Sequence, residues 1–139
     1  MCNKERLLEL MHDYILFDAG VKKVPRVHQY MGIKKAQEYV NRQEGGIIWH
    51  TQGAGKSILM VLLAKWILEN KPNGRVVMIT DRDALDKQIY QVFTDAGEKI
   101  HRSSSGQDLM TQLGQATPRL LCSLVHKFGA KDVDDFDAF

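Results

Sequence analysis

At 139 residues, 44% of them hydrophobic, the chain is long enough for one globular core and too short for two ordinary domains. A formal net charge of +2 neither supports nor excludes nucleic acid, so only local charge clusters can speak to it. The two cysteines, Cys2 and Cys122, lie far apart and fit no zinc or disulfide spacing, which points to free thiols in a reducing compartment. The longest apolar run, "SILMVLLAKWIL", is interrupted by Lys65 and falls short of the roughly 20 residues of a membrane helix. "MCNKERLLEL" turns polar at once, so no secretory signal is expected.

Residues 4–17 carry apolar side chains at Leu7, Leu8, Met11, Tyr14 and Ile15, the spacing of a helix. "DAGVKKVP" breaks that pattern with Gly20 and Pro25. A second helix is expected from near Pro25 through "RVHQYMGIKKAQEYVNRQ", closed by "EGG" at 44–46. "GIIWH" follows glycines and leads into a glycine-rich turn, which predicts a buried strand. "KSILMVLLAKWILEN" is apolar on nearly every side and predicts a helix covered on more than one face. After the turn "KPNGR", "VVMIT" has the continuous apolar run of a strand in a parallel sheet. "DRDALDKQIYQVFTDAG" predicts an amphipathic helix with Leu85, Ile89, Val92 and Phe93 on one side. "SSSGQDLMTQLGQA" predicts a short helix capped by a serine. "RLLCSLV" predicts a third strand, and the acidic tail "KDVDDFDAF" has no period. Alternating strands and helices of this kind predict an α/β fold with a parallel sheet, preceded by one or two helices.

The chemistry sits in "IIWHTQGAGKS". A phosphate-binding loop aims backbone N–H groups at an anion, which favours glycine, and the next helix points its N-terminus at the same charge. Gly53, Ala54, Gly55, Lys56 and Ser57 supply that loop between a predicted strand and a predicted helix. The lysine would neutralise phosphate, and the serine hydroxyl would hold Mg²⁺. The strict pattern puts its first glycine at position 50, where this chain has His50. That position precedes the wrap of the loop, so the departure does not disable it, and His50 is expected to be a packed strand-end residue.

Gln29 lies 27 residues before Lys56. Its amide offers a donor and an acceptor, matching N7 and N6 of adenine, although most surface glutamines read nothing. Arg82 falls at the carboxyl end of the second strand, where a cation could hold a nucleic-acid phosphate or simply pair with Asp81 or Asp83. The cluster Lys22, Lys23, Arg26, Lys34 and Lys35 could be a phosphate-facing patch, but by default it is a solvated helix face.

Taken together, "GGIIWHTQGAGKS", "VVMITDRDALDKQI" and "LVHKFG" resemble the first motor domain of the restriction (R) subunit of type I restriction–modification enzymes. The resemblance runs roughly from Leu7 to Gly129, with "HQYMGIKKA" similar to that family's adenine-reading Q motif. It implies a partial RecA-like P-loop NTPase domain of superfamily 2, a three-layer αβα arrangement around a parallel sheet. Residues 1–44 would be the helical lead-in, 45–129 the core and 130–139 an acidic tail. It implies ATP and Mg²⁺ as cofactors, with Thr51, Gln52, Gly53, Ala54, Gly55, Lys56 and Ser57 around the phosphates and metal, and Gln29 and Arg26 at the base. Thr80, Arg82 and, more loosely, Ser123 would face double-stranded DNA. The implied partners are modification and specificity subunits, in a prokaryotic cytoplasm and away from membranes.

The chain also departs from that family. No carboxylate–lysine nuclease set, no Asp-Glu box after a further strand and no second lobe with an arginine finger appear in the 139 residues. No complete catalytic set is therefore expected. Two rival readings stay open: a non-catalytic nucleotide-binding or subunit-interaction module, and a small-molecule P-loop kinase, which would need a lid and an acceptor site.

Overall fold

The computed structural model describes residues 3–18, 20–51, 53, 55–95 and 97–125. The chain divides into two compact units, Met1–Asn70 and Lys71–Phe139.

The first unit opens with helix α1, Lys4–Asp13, where the Asn3 side chain accepts from the Glu5 N–H at 3.0 Å and so satisfies a donor the helix leaves orphaned. The segment expected to be a simple break is instead an antiparallel hairpin, β1 (Leu16–Asp18) with β2 (Val21–Lys23), turning through Gly20 at φ +78°. Three-residue strands are too short to show a period of two, so the sequence hides them. Helix α2, Val27–Asn41, follows Pro25, and helix α3 spans Lys56–Asn70, the full predicted "KSILMVLLAKWILEN". The expected "GIIWH" strand does not form. A strand is defined by its ladder, and none of the described strands pairs with residues 44–51. Ile47 and Trp49 are accordingly 91% and 88% exposed.

Helices α1 and α2 meet through polar and aromatic contacts. The Tyr14 and Tyr30 rings lie 5.1 Å apart, Tyr30 Oη donates to Glu9 Oε2 at 2.9 Å, and Lys34 Nζ reaches Glu9 Oε1 at 2.7 Å. Helix α2 packs on α3, burying Ile33, Leu59, Leu62 and Ala64. Each buried aliphatic side chain of this kind contributes about 1.5–3 kcal/mol.

The second unit is an α/β layer. Strands β3 (Val76–Thr80), β4 (Ile100–Arg102) and β5 (Leu120–Leu124) form a parallel sheet in the order β3-β5-β4, joined by helices α4 (Asp83–Asp95) and α5 (Gly106–Leu113). β5 lies between two neighbours and is buried at every position, which explains its unbroken "LLCSL". β4 was not anticipated, because "IHR" is short and polar. α5 begins as expected at a serine: Ser105 Oγ accepts from the Asp108 N–H at 3.1 Å. The α/β class with a parallel, helix-flanked sheet is thus the one expected of a partial RecA-like domain. Among the described residues, no helix is long and apolar enough to cross a membrane. "HKFG" and the acidic tail lie outside the described residues.

One charged group is sunk into this unit. Asp86 is fully buried on α4 and accepts from Arg102 Nε and, at 2.7 Å, from Cys122 Sγ. Arg102 also donates from Nη2 to Asp83 Oδ1 at 2.7 Å. The hydrogen bond to Asp86 raises the pKa of the guanidinium further. Removing Arg102 leaves a buried carboxylate uncompensated. Because Arg102 is itself 32% exposed, Arg102→Ala is expected to lower unfolding free energy in urea by about 2–3 kcal/mol, below the range for a fully enclosed pair.

A second prediction concerns acid. Asp108 accepts from the Ser104 N–H and pairs with His101 Nε2, each at 3.0 Å. These bonds, the Ser104 N–H foremost, hold its carboxyl below the usual carboxylate range. A pKa lowered by folding means stability that is present above the unfolded value of about 4 and lost as pH falls below it, through the lowered native value. Urea titrations between about pH 6 and 3 should therefore show a shallower acid loss for Asp108→Asn than for the wild type.

Candidate functional site

The glycine-rich turn and α2 converge in the first unit. Gly53 and Gly55 both take positive φ, +78° and +75°, a region that side chains other than glycine rarely adopt. Helix α3 starts at Lys56, so the N–H groups of its first turn open toward the loop. Lys56 is exposed and Ser57 half-buried. Thr51 is exposed at the loop's entry, and the predicted Gln52 and Ala54 lie outside the described residues.

Gln29 is where the sequence alone says least and the structure most. It is buried at 4% exposure, on the first turn of α2. Its Oε1 accepts from the Arg26 N–H at 2.8 Å, and its Nε2 donates to the Gly55 carbonyl at 3.1 Å. One acceptor and one donor of the amide are thus committed to protein. The same Gly55 carbonyl takes the Leu59 N–H at 3.3 Å, so loop, helix start and Gln29 share one oxygen. A Cβ built on Gly55 would stand 2.2 Å from Gln29 Nε2, whereas one on Gly53 would meet nothing within 4 Å.

Lys23, Val24, Arg26, Gln29, Gly53, Gly55 and Ile58 line an open cavity of about 280 Å³. The structure therefore brings four of the sequence-predicted residues, Arg26, Gln29, Gly53 and Gly55, to one hollow at the foot of α3. Lys23, dismissed in the sequence as part of a solvated face, lines it too. That volume sits near the lower bound of ligand pockets, about 300 Å³, and matches a base or a few phosphates better than a bulky substrate.

Thr80, Arg82 and Ser123 belong to the second unit. Thr80 ends β3, whereas Ser123 is the penultimate residue of β5 and is in register with Ile79, so the two side chains point to opposite faces of the sheet. Their hydroxyls are buried and have no hydrogen-bond partner among the described residues. Arg82 is largely exposed, with Asp81 no nearer than 4.0 Å.

A family profile described as SWI2/SNF2 ATPase matches residues 28–138, most of the chain and all of the glycine loop. The chain belongs to the SWI2/SNF2 ATPase family. Two relatives show where in that family it lies. The type I restriction enzyme MjaIXP endonuclease subunit of Methanocaldococcus jannaschii is 32% identical over 98% of this chain and 14% of its own length. The type I restriction enzyme HindI endonuclease subunit of Haemophilus influenzae is 34% identical over 80% of this chain and 11% of its own. The resemblance to type I endonuclease subunits is thereby shown, and this SWI2/SNF2 ATPase chain spans about a seventh or less of the length of those relatives.

The two loop glycines are not equivalent. Gly53→Ala should cost about 1–2 kcal/mol, the strain of positive φ alone. Gly55→Ala adds expulsion of the buried Gln29 amide and should cost about 2–4 kcal/mol. In a Gln29→Ala background the Gly55→Ala penalty should shrink toward that of Gly53→Ala, and a double-mutant cycle in urea measures the difference.

Proposed function

We propose that this chain binds Mg-ATP as the nucleotide-gripping part of the DNA-translocating motor of a type I restriction endonuclease subunit. The observation that carries the reading is the hollow shared by Arg26, Gln29, Gly53 and Gly55 where α3 begins. An anion there would meet the first N–H groups of α3 and the exposed Lys56 ammonium. Thr51, Gln52 and Ala54 would complete the wrap, and Gln29, with Arg26, would lie at the base. The residues fit a magnesium nucleotide: the glycines keep the approach clear, and Ser57 places a hydroxyl on the first turn of the helix. Ser57 would be the residue that holds Mg²⁺, which would supply charge neutralisation to the phosphates.

On this reading residues 1–44 are the lead-in that carries Gln29, and 45–129 are the ATPase core. Arg82, exposed at the end of β3, is the group suited to a DNA backbone phosphate, with Thr80 and Ser123 beside the strand ends. In the longer protein, ATP binding would be coupled to movement along double-stranded DNA before cleavage, together with modification and specificity subunits in a prokaryotic cytoplasm. The 139 residues carry no Asp-Glu box of the kind that polarises water in such motors, so binding with negligible turnover is expected of this chain.

The test is a calorimetric titration of Mg-ATP into the chain beside Lys56→Ala. Saturable binding that the variant loses supports the reading. No heat from a wild-type chain shown by circular dichroism to be folded, or equal binding by Lys56→Ala, refutes it.

A further inference from the structure

The proposed function leaves His50 unused, although it stands where the strict loop pattern has a glycine. Its surroundings are specific. The His50 ring lies 5.2 Å from the ring of His28, with the planes tilted by 56°, the geometry of an aromatic pair in contact. A Cβ added to Gly32 would come within 3.2 Å of His50 Nε2 and 3.2 Å of Leu59 Cδ1, so the imidazole packs closely against the helix backbone at Gly32 and a side chain there would have to push it aside. His50 is half-buried, whereas its neighbour Trp49 projects into solvent.

These partners are all on α2, the helix that carries Gln29. Positions 28 and 32 lie one helical turn apart, and 29 and 32 are near neighbours on the same side. α2 therefore touches the glycine loop at both ends, at His50 before the turn and at Gly55 after it. The contact matters because the backbone does little at the entry. Among the described residues, 45–51 make no backbone–backbone hydrogen bond, and no ladder holds them. Side-chain packing has to fix where the loop starts.

We propose that His50 is a positioning residue for the nucleotide site, anchoring the entry of the glycine loop on His28 and Gly32 so that Gln29 keeps its distance from the loop. The inference rests on the Mg-ATP reading above. A glycine at position 50 would remove the ring contact and free the entry, misplacing the loop relative to the residue proposed to read the base. The loss should therefore fall more heavily on ATP than on GTP.

The experiment compares Mg-ATP and Mg-GTP affinities, by calorimetry on the 139-residue chain, for wild type, His50→Gly, His50→Phe and His28→Ala, with thermal midpoints of the unliganded proteins alongside. His50→Gly should bind ATP about three- to tenfold more weakly, with a reduced ATP-to-GTP ratio and little change in midpoint. His50→Phe, which keeps a ring against His28, should restore affinity to within about twofold of wild type. His28→Ala should weaken ATP binding on its own, the double variant His28→Ala/His50→Gly should bind no more weakly than His50→Gly, and His28→Ala carries the test if His50→Gly fails to fold. Wild-type affinity in His50→Gly, equal losses in the Gly and Phe variants, or a fall in ATP and GTP binding in the same proportion would overturn the inference. A wild-type chain that binds no ATP overturns the proposed function itself, an outcome the Lys56→Ala control separates from the rest.

Discussion

The hydrogen bond from the Gln29 amide to the Gly55 carbonyl organises the first unit. It joins residues 26 positions apart, and it does so from a side chain that is itself fixed by the Arg26 N–H. A buried amide must find partners or lose about 1–3 kcal/mol, so its two bonds hold α2 and the loop in one arrangement. The arrangement demands glycine at position 55 twice over, for its positive φ and for the 2.2 Å that a Cβ would leave to Gln29. The Leu59 N–H on the same oxygen then makes the start of α3 part of the constraint. A ligand that pulled on the loop would be felt at Gln29 without any further machinery.

What could be read in the sequence follows from the range of each signal. α3 and β3 match their predicted segments because fifteen and five apolar-rich residues carry a dense local pattern. The Ser105 cap was legible because capping is local chemistry. The hairpin of β1 with β2 and the short β4 were not, since three residues carry no period. "GIIWH" misled for the opposite reason: its composition suits a strand, but a strand also needs a partner, and no described strand supplies one. The contacts that shape the site, Gln29 to Gly55 and His50 to His28 and Gly32, join residues 18 to 26 positions apart and leave no trace in spacing. His50 is expected from its position to be a packed strand-end residue. It is packed, but against a helix.

In the second unit the same logic separates structure from proposed function. β5 is buried on both faces and keeps an apolar run, while β3 alternates, with Val77 and Ile79 exposed and Met78 and Thr80 buried. Asp86 breaks the apolar rule inside α4, and Arg102 and Cys122 account for it completely enough that no ligand need be invoked.

Thr80 and Ser123 have no such account. A buried hydroxyl without a partner is a local loss relative to valine or alanine, which would fill similar space with no polar atom to satisfy. Packing alone therefore gives no reason for hydroxyls at these two strand positions. Both lie toward the carboxyl ends of adjacent parallel strands, the edge at which open α/β sheets meet their ligands, and the exposed Arg82 stands two residues beyond Thr80. The DNA-facing role proposed for this edge therefore rests first on Arg82, the exposed residue of the three.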